Sequence, residues 1–211
     1  MTVTTSWWWI RHAPVTEDGG CIYGQSDIDA NFSDKPSYAG LASALPKDAV
    51  WVTSQLSRAR GTAAAIAEAG LEYDEPVIEP GFAEQHFGEW QGQPRAEVHS
   101  RNPDWRRFWL APAHATPPGG ESFVAVMERV AAGIARHTES HAGRHIVSVS
   151  HGGPIRAAIA VAIGLAPEGA LGFAIDNLSI TRLDHIAGAG PDGGETAWRV
   201  VTINRPPVAC G

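Results

Sequence analysis

The stretch Trp-Trp-Trp-Ile-Arg-His at residues 7–12 decides how this chain folds. Its apolar run is typical of a buried strand, and the Arg-His pair stands where that strand ends. The same order returns at residues 146–151, where Ile-Val-Ser-Val-Ser leads directly into His151. In open α/β sheets, ligands bind just beyond the carboxyl ends of the strands. We therefore expect His12 and His151 to meet at one edge of a sheet.

Strands and helices alternate outward from these two segments. This alternation predicts an α/β fold with three layers (α/β/α), a mainly parallel central sheet and a single domain over residues 1–211. Further strands are predicted at 50–53, 76–78, 178–183 and 198–203. Helices are predicted at 39–45, at 57–67 with Ser57 as its N-cap, from Ser122 to about 141, and at 154–163.

Residues 81–120 differ in character, because they combine several prolines and tryptophans with little periodicity. We predict that this stretch is a small inserted cap that folds over the site. Trp105 and Trp109, one helical turn apart, are expected either to line the substrate entrance or to pack within the cap.

The composition limits the classes of function. The chain has 211 residues, 44% of them hydrophobic and 18% charged, which supports a packed core. A formal net charge of −7 without a basic cluster argues against a nucleic-acid partner. The 2 cysteines show no CxxC spacing, and neither a signal peptide nor a membrane span is evident, so we expect a cytoplasmic protein.

The polar residues at the strand ends suit an anionic ligand. Arg11 and Arg58 supply planar donor forks for phosphate oxygens, and the glycines at 152–153 allow close approach of the backbone. A neutral imidazole can attack phosphorus, and His12 is the better candidate for this nucleophile. The sequence has neither the HExxH spacing of a metal site nor a Walker loop. We therefore expect no metal and no cofactor.

A leaving alkoxide needs a proton, and Glu84 is the carboxylate best placed in the sequence to supply it. Glu89 lies nearby and Glu121 heads the long helix, so the assignment stays open among these carboxylates. Glu121 is expected to cap that helix or to form the rim of the site.

Five segments, taken together and in order, resemble the histidine phosphatase superfamily, the phosphoglycerate-mutase-like group. The first is Arg-His-Ala, where the family has Arg-His-Gly, and the last is Ser-His-Gly-Gly-Pro-Ile-Arg. The segments are residues 11–13, 54–63, 84–92, 120–122 and 150–156.

The resemblance implies a role for each matching residue. His12 is implied to become phosphorylated, and Glu84 to act as the acid and base. The phosphate is implied to be bound by a group that includes the loop at 23–25: Arg11, His12, Gly24, Gln25, Arg58, His151 and Gly152.

The implied activity is a metal-independent hydrolysis of a small phosphate ester. Similarity to α-ribazole phosphatase-like members implies α-ribazole 5'-phosphate as one candidate substrate. One alternative is mutase-type phosphoryl transfer, against which the missing Trp-Asn pair downstream of His12 argues. A second is a non-catalytic phosphate-binding module, against which the full set of site residues argues.

Overall fold

A computed structural model of the chain describes residues 1–102, 112–189 and 194–207. Trp105 and Trp109 lie outside these residues. The strands are β1 Val3–Arg11, β2 Val50–Thr53, β3 Val77–Ile78, β4 His145–Ser150, β5 Ile180–Ala187 and β6 Thr196–Arg205. The helices are α1 Lys35–Ala44, α2 Ser57–Glu68, α3 Arg95–Arg101, α4 Phe123–Ser140, α5 Gly152–Ile163 and α6 Pro167–Ala170.

The strands form one sheet in the order β3-β2-β4-β1-β5-β6. Neighbours are parallel from β3 to β1, whereas β5 runs antiparallel to both β1 and β6. The predicted α/β class is confirmed, and the sheet is mixed. Its parallel half holds β1 and β4 side by side, and His12 and His151 directly follow these two strands.

The Trp run alternates across the sheet, as expected for consecutive residues of a strand. Trp7 and Trp9 are fully buried, stack with their ring centroids 5.2 Å apart, and share a core cluster with residues of α4 and α5. Trp8 packs against a second cluster, which contains residues of α1 and α2, and contacts the Arg182 guanidinium at 4.6 Å. The two clusters agree with helices on both faces of the sheet, and the three-layer arrangement stays a prediction.

The helix from Ser122 follows its predicted pattern. The Ser122 side chain caps α4 by accepting a hydrogen bond from the Ala125 N–H, and the apolar residues at 123, 126, 130 and 134 are buried. None of the described helices is long and apolar enough to cross a membrane.

The predicted cap by Ser57 is wrong. Leu56 occupies the N-cap position of α2, and Ser57 is the first helical residue. Asp27 accepts hydrogen bonds from both the Ser57 N–H and the Ser57 hydroxyl, each at 2.7 Å. The cap therefore comes from a loop 30 residues upstream, which local sequence does not reveal.

The stretch at 81–120 contains more regular structure than its sequence indicates, because α3 lies within it. Phe87, Trp90 and Val98 form a separate small cluster with Ile22, and Ile22 also bridges to Gln91. A small core of its own agrees with a cap, whose identity as an insertion stays a prediction.

Candidate active site

The two histidines meet beyond the ends of β1 and β4. These strands pair in parallel with Arg11 opposite Ser150, so His12 and His151 leave the sheet at the same level. Their ring centroids are 4.9 Å apart, and both side chains are fully buried.

The His12 ring presents one free nitrogen. Its Nδ1 lies 2.6 Å from the Ala13 carbonyl oxygen, which can only accept, so Nδ1 holds the proton and Nε2 holds the lone pair. Nε2 is buried without a hydrogen-bond partner among the described residues. Burial and the charges of Arg58 and Arg11 hold the pKa of His12 well below its usual range, so the ring is neutral near pH 7.

The backbone around His12 is held by hydrogen bonds on both sides. The His12 N–H donates to the Ser150 carbonyl at 2.9 Å, and the Asn177 side-chain amide donates to the His12 carbonyl at 2.7 Å. The Ala13 N–H donates to the Thr62 hydroxyl at 2.8 Å. The sequence assigned no role to Asn177 or Thr62, and the closing segment before β5 offers no motif that would have identified Asn177.

Two guanidinium groups flank the space next to the His12 and His151 rings, which we call the hollow. Each guanidinium is anchored by backbone carbonyls. Arg58 is fully buried and donates to the carbonyls of Gly24 at 2.6 Å and Ser26 at 2.8 Å. Arg11 donates through Nη1 to the Ile175 carbonyl at 2.6 Å. Within the described residues, the Nε atoms of both arginines are buried without a partner, so each retains a donor.

His151 is also anchored at one nitrogen. Its Nε2 lies 2.7 Å from the Ser54 hydroxyl, whereas Nδ1 is buried without a partner in the part of the chain that the structure describes. Burial, His12 and the nearby arginines lower the pKa of His151 well below its usual range. Both imidazoles are therefore neutral, and the positive charge of the site comes from the arginines.

Glu84 is the carboxylate of this site. Its Oε1 accepts from the Gly153 N–H at 3.1 Å, at the N-terminus of α5, and from the Gln85 N–H at 2.9 Å. Glu89 is exposed, and Glu121 forms an ion pair of 2.8 Å with Arg129. The structure thus favours Glu84 by position, and its role as acid and base stays a prediction.

The loop at 23–26 lies against the Arg58 guanidinium. Gly24 has a positive φ of 47°, and a Cβ there would overlap the Gln91 side chain. Gln25 donates through its side-chain amide to the Glu84 carbonyl at 2.8 Å and through its N–H to Gln91 at 2.9 Å. The Gln25 donors are used within the protein, and the phosphate-binding roles of Gly24 and Gln25 stay predictions.

A cavity of about 280 Å³ opens beside these groups. Three basic residues of its lining have no role assigned from the sequence, namely Arg95, His99 and Arg156. His99 reaches this cavity from α3. Arg156 lies in the predicted helix at 154–163, one turn after Gly152, so helical spacing could have found it. Arg95 and His99 lie on α3, which no apolar pattern marks in the sequence.

A neutral histidine with a free lone pair, flanked by arginines and a carboxylate at the ends of parallel strands, defines a site suited to a phosphoryl group. The chain belongs to the histidine phosphatase superfamily (branch 1), whose family model matches residues 7–191.

Similar proteins are named phosphatases. The chain is 32% identical over 213 residues to a glucosyl-3-phosphoglycerate phosphatase of Mycolicibacterium vanbaalenii, covering 92% of each protein. A solved mycobacterial glucosyl-3-phosphoglycerate phosphatase with VO3 superimposes with a TM-score of 0.78 at 26% identity, covering 95% of this chain and 98% of that one. A putative α-ribazole-5'-P phosphatase from Escherichia coli shares the fold, with a TM-score of 0.75 at 24% identity over 97% of this chain and 98% of that one.

Other curated relatives are much longer than the matched region. The chain is 39% identical to a bifunctional protein of Mycobacterium tuberculosis over 112 residues. This aligned region is 53% of this chain and 30% of that protein.

Proposed function

We propose that the protein hydrolyses phosphate monoesters through a phosphohistidine at His12. The observation that carries this proposal is the state of the His12 ring. Its Nδ1 is protonated against the Ala13 carbonyl, which leaves a buried Nε2 lone pair among donors that suit an anion. Because the ring is neutral near pH 7, it can attack without first losing a proton.

In the first step, Nε2 of His12 forms a bond to phosphorus, and the bond from phosphorus to the ester oxygen breaks. Arg11 and Arg58 stabilise the charge on the transferring oxygens through the Nε donors that they retain. In the tautomer in which the Ser54 hydroxyl donates to His151 Nε2, the buried Nδ1 of His151 carries a proton and is a further donor for the phosphoryl group. Glu84 supplies the proton that the leaving alkoxide takes.

In the second step, water attacks phosphorus and the bond between nitrogen and phosphorus breaks. Glu84, now ionised, takes the proton of that water, and His12 returns to its neutral state. The two N–H groups that bind Glu84 hold its carboxylate at the same place through both steps.

The substrate is a small phosphorylated metabolite. Beyond the phosphate, the cavity wall of Tyr23, Phe87, Arg95 and His99 combines aromatic and cationic groups, which favours a substrate with a second acceptor group. Glucosyl-3-phosphoglycerate and α-ribazole 5'-phosphate are therefore the first substrates to compare, alongside sugar phosphates. The larger kcat/KM identifies the preferred class.

Replacement of His12 tests the proposal. His12→Ala should abolish turnover of p-nitrophenyl phosphate, whereas His145→Ala, which changes an exposed histidine, should not. The unaltered enzyme, quenched during turnover, should hold acid-labile, base-stable phosphate that His12→Ala lacks. Substantial residual turnover in His12→Ala would refute the assignment of the nucleophile.

The same experiment separates the alternatives. A non-catalytic binding module would accumulate no phosphoenzyme. A mutase would pass the phosphoryl group to an acceptor hydroxyl faster than to water, which a coupled mutase assay with bisphosphoglycerate detects.

A further inference from the structure

Arg156 stands at the edge of the phosphoryl site. It lines the same cavity as Arg11, Glu84 and Gly152. Its Nε donates to the Phe173 carbonyl at 2.8 Å, and Arg11 donates to Ile175 two residues further along. One short segment therefore anchors two guanidinium groups side by side.

The glycine at 152 lets three charged groups approach one point. A Cβ at Gly152 would lie 2.9 Å from Nη1 of Arg156, 3.8 Å from Nε of Arg11 and 3.8 Å from Oε2 of Glu84. Two cations and one carboxylate thus surround the turn that joins β4 to α5, directly after His151.

The positive charge of Arg156 is opposed by one end of α5 and by Arg11, and it is favoured by Glu84. The side chain reaches back from position 156 to the N-terminus of α5, where the helix dipole is positive. Burial and Arg11 lower the pKa of Arg156 to about 10, although Glu84 opposes them, and the group stays protonated near pH 7.

The charge of the site indicates which anion fits. Arg11 and Arg58 place two positive charges around the hollow, and Arg156 adds a third. Arg129 and Glu121 pair with each other, and Asp27, the other carboxylate near Arg58, is exposed. Three guanidinium groups against one carboxylate, Glu84, favour the dianionic form of a phosphate monoester over the monoanion, and they do so all the more while Glu84 holds the proton for the leaving group.

We propose that Arg156 is a third phosphoryl-binding arginine, which contacts a phosphate oxygen beside Arg11 and selects dianionic monoesters. This proposal rests on the proposed function for the identity of the site. The proposal adds Arg156 to the phosphate-binding groups. Its side chain is held in place by the close approach at Gly152 and by the segment from Phe173 to Ile175.

Binding of inorganic phosphate, measured by titration calorimetry, tests this assignment without requiring turnover. Arg156→Gln should weaken phosphate binding about ten- to a hundredfold, the loss expected for a charge-assisted contact. The thermal midpoint should stay near that of the unaltered protein, because removal of a partly buried cation from the N-terminus of α5 offsets the lost hydrogen bond to the Phe173 carbonyl. Arg60→Gln, an exposed change on α2, serves as the matched control and should bind phosphate normally.

Arg156→Lys keeps the charge but loses the planar fork, and it decides the question if the glutamine variant fails to fold. It should bind phosphate more weakly than the unaltered protein and more tightly than any folded glutamine variant. Phosphate affinity within twofold of the unaltered protein in both variants, or in the lysine variant alone if only that one folds, would overturn the assignment. If the unaltered protein binds phosphate and hydrolyses no monoester, the proposed function fails, while weaker phosphate binding in the variants still supports the third arginine.

Discussion

Gly153 contacts the Glu84 carboxylate so closely that the position has no room for a side chain. A Cβ at this position would overlap Oε1 of Glu84, which accepts a hydrogen bond from the Gly153 N–H. Any larger residue must displace the carboxylate from the N-terminus of α5. Because catalysis depends on the position of the proton donor to a fraction of an ångström, the effect should appear in turnover.

We predict that Gly153→Ala lowers kcat/KM for p-nitrophenyl phosphate by about tenfold or more. Thermal stability should change little, because alanine favours a helix over glycine by up to about 1 kcal/mol and offsets part of the strain. Steady-state kinetics and thermal unfolding measure the two effects.

Gly172→Ala is the control, since its nearest neighbour to a Cβ is a carbonyl at 3.3 Å, within the turn after α6. If Gly153→Ala retained full kcat/KM, Glu84 would not be the acid and base.

Among single residues, the sequence indicates the site residues that follow a strand or belong to a motif. His12, His151, Arg58 and Glu84 lie together as those patterns predict. Sequence patterns could not identify Asn177, because it binds the His12 backbone from a segment 165 residues away. Chain folding, rather than any local pattern, creates that contact.

The start of α2 depends on an element outside the helix. Asp27 accepts from the Ser57 N–H and hydroxyl, and so satisfies a donor that the first turn cannot pair internally. Arg58, the next residue, holds the loop that contains Asp27 through the Gly24 and Ser26 carbonyls. Loop and helix therefore fix each other next to the phosphoryl site.

We predict that Asp27→Ala lowers the free energy of unfolding by about 0.5–2 kcal/mol, the usual range for loss of an N-terminal cap. Asp27→Asn keeps an acceptor oxygen and should lose less. Urea unfolding of both variants, with the exposed Asp29→Ala as control, checks this expectation. Equal losses for the alanine and asparagine variants would show that the acceptor has no part in stabilising α2.

Strand and helix positions followed from the spacing of apolar residues, whereas the exact caps did not. The strand at 50–53 was predicted with its observed bounds, because four β-prone residues stand together just before a polar pair at 54–55. The short helix α3 was missed, since only Val98 on it is buried and no apolar stripe marks it.

For the whole molecule, the adjacency of β1 and β4 places two neutral imidazoles in the interior. The pKa values of His12 and His151 are lowered mainly by burial and then by Arg58 and Arg11, and His12 further lowers the pKa of His151. In the unfolded chain both histidines take up a proton near pH 6.5, whereas in the folded chain they do not. The folded protein should therefore lose stability as the pH falls below about 6.5, and these two residues contribute no pH dependence above it.

We predict that the free energy of unfolding falls between pH 6.5 and 5 by up to about 1.4 kcal/mol per pH unit for each buried histidine. Carboxylates titrate mostly below about pH 4.5, so this window isolates the histidines. His12→Asn should reduce the slope by up to one such increment, because one proton fewer distinguishes the folded from the unfolded chain. Urea unfolding at pH 7.5, 6.5 and 5.5 measures the slope, with the exposed His145→Asn variant as control. An identical slope in His12→Asn and the unaltered protein would mean that His12 is protonated in the folded state, which removes the basis for its role as a neutral nucleophile.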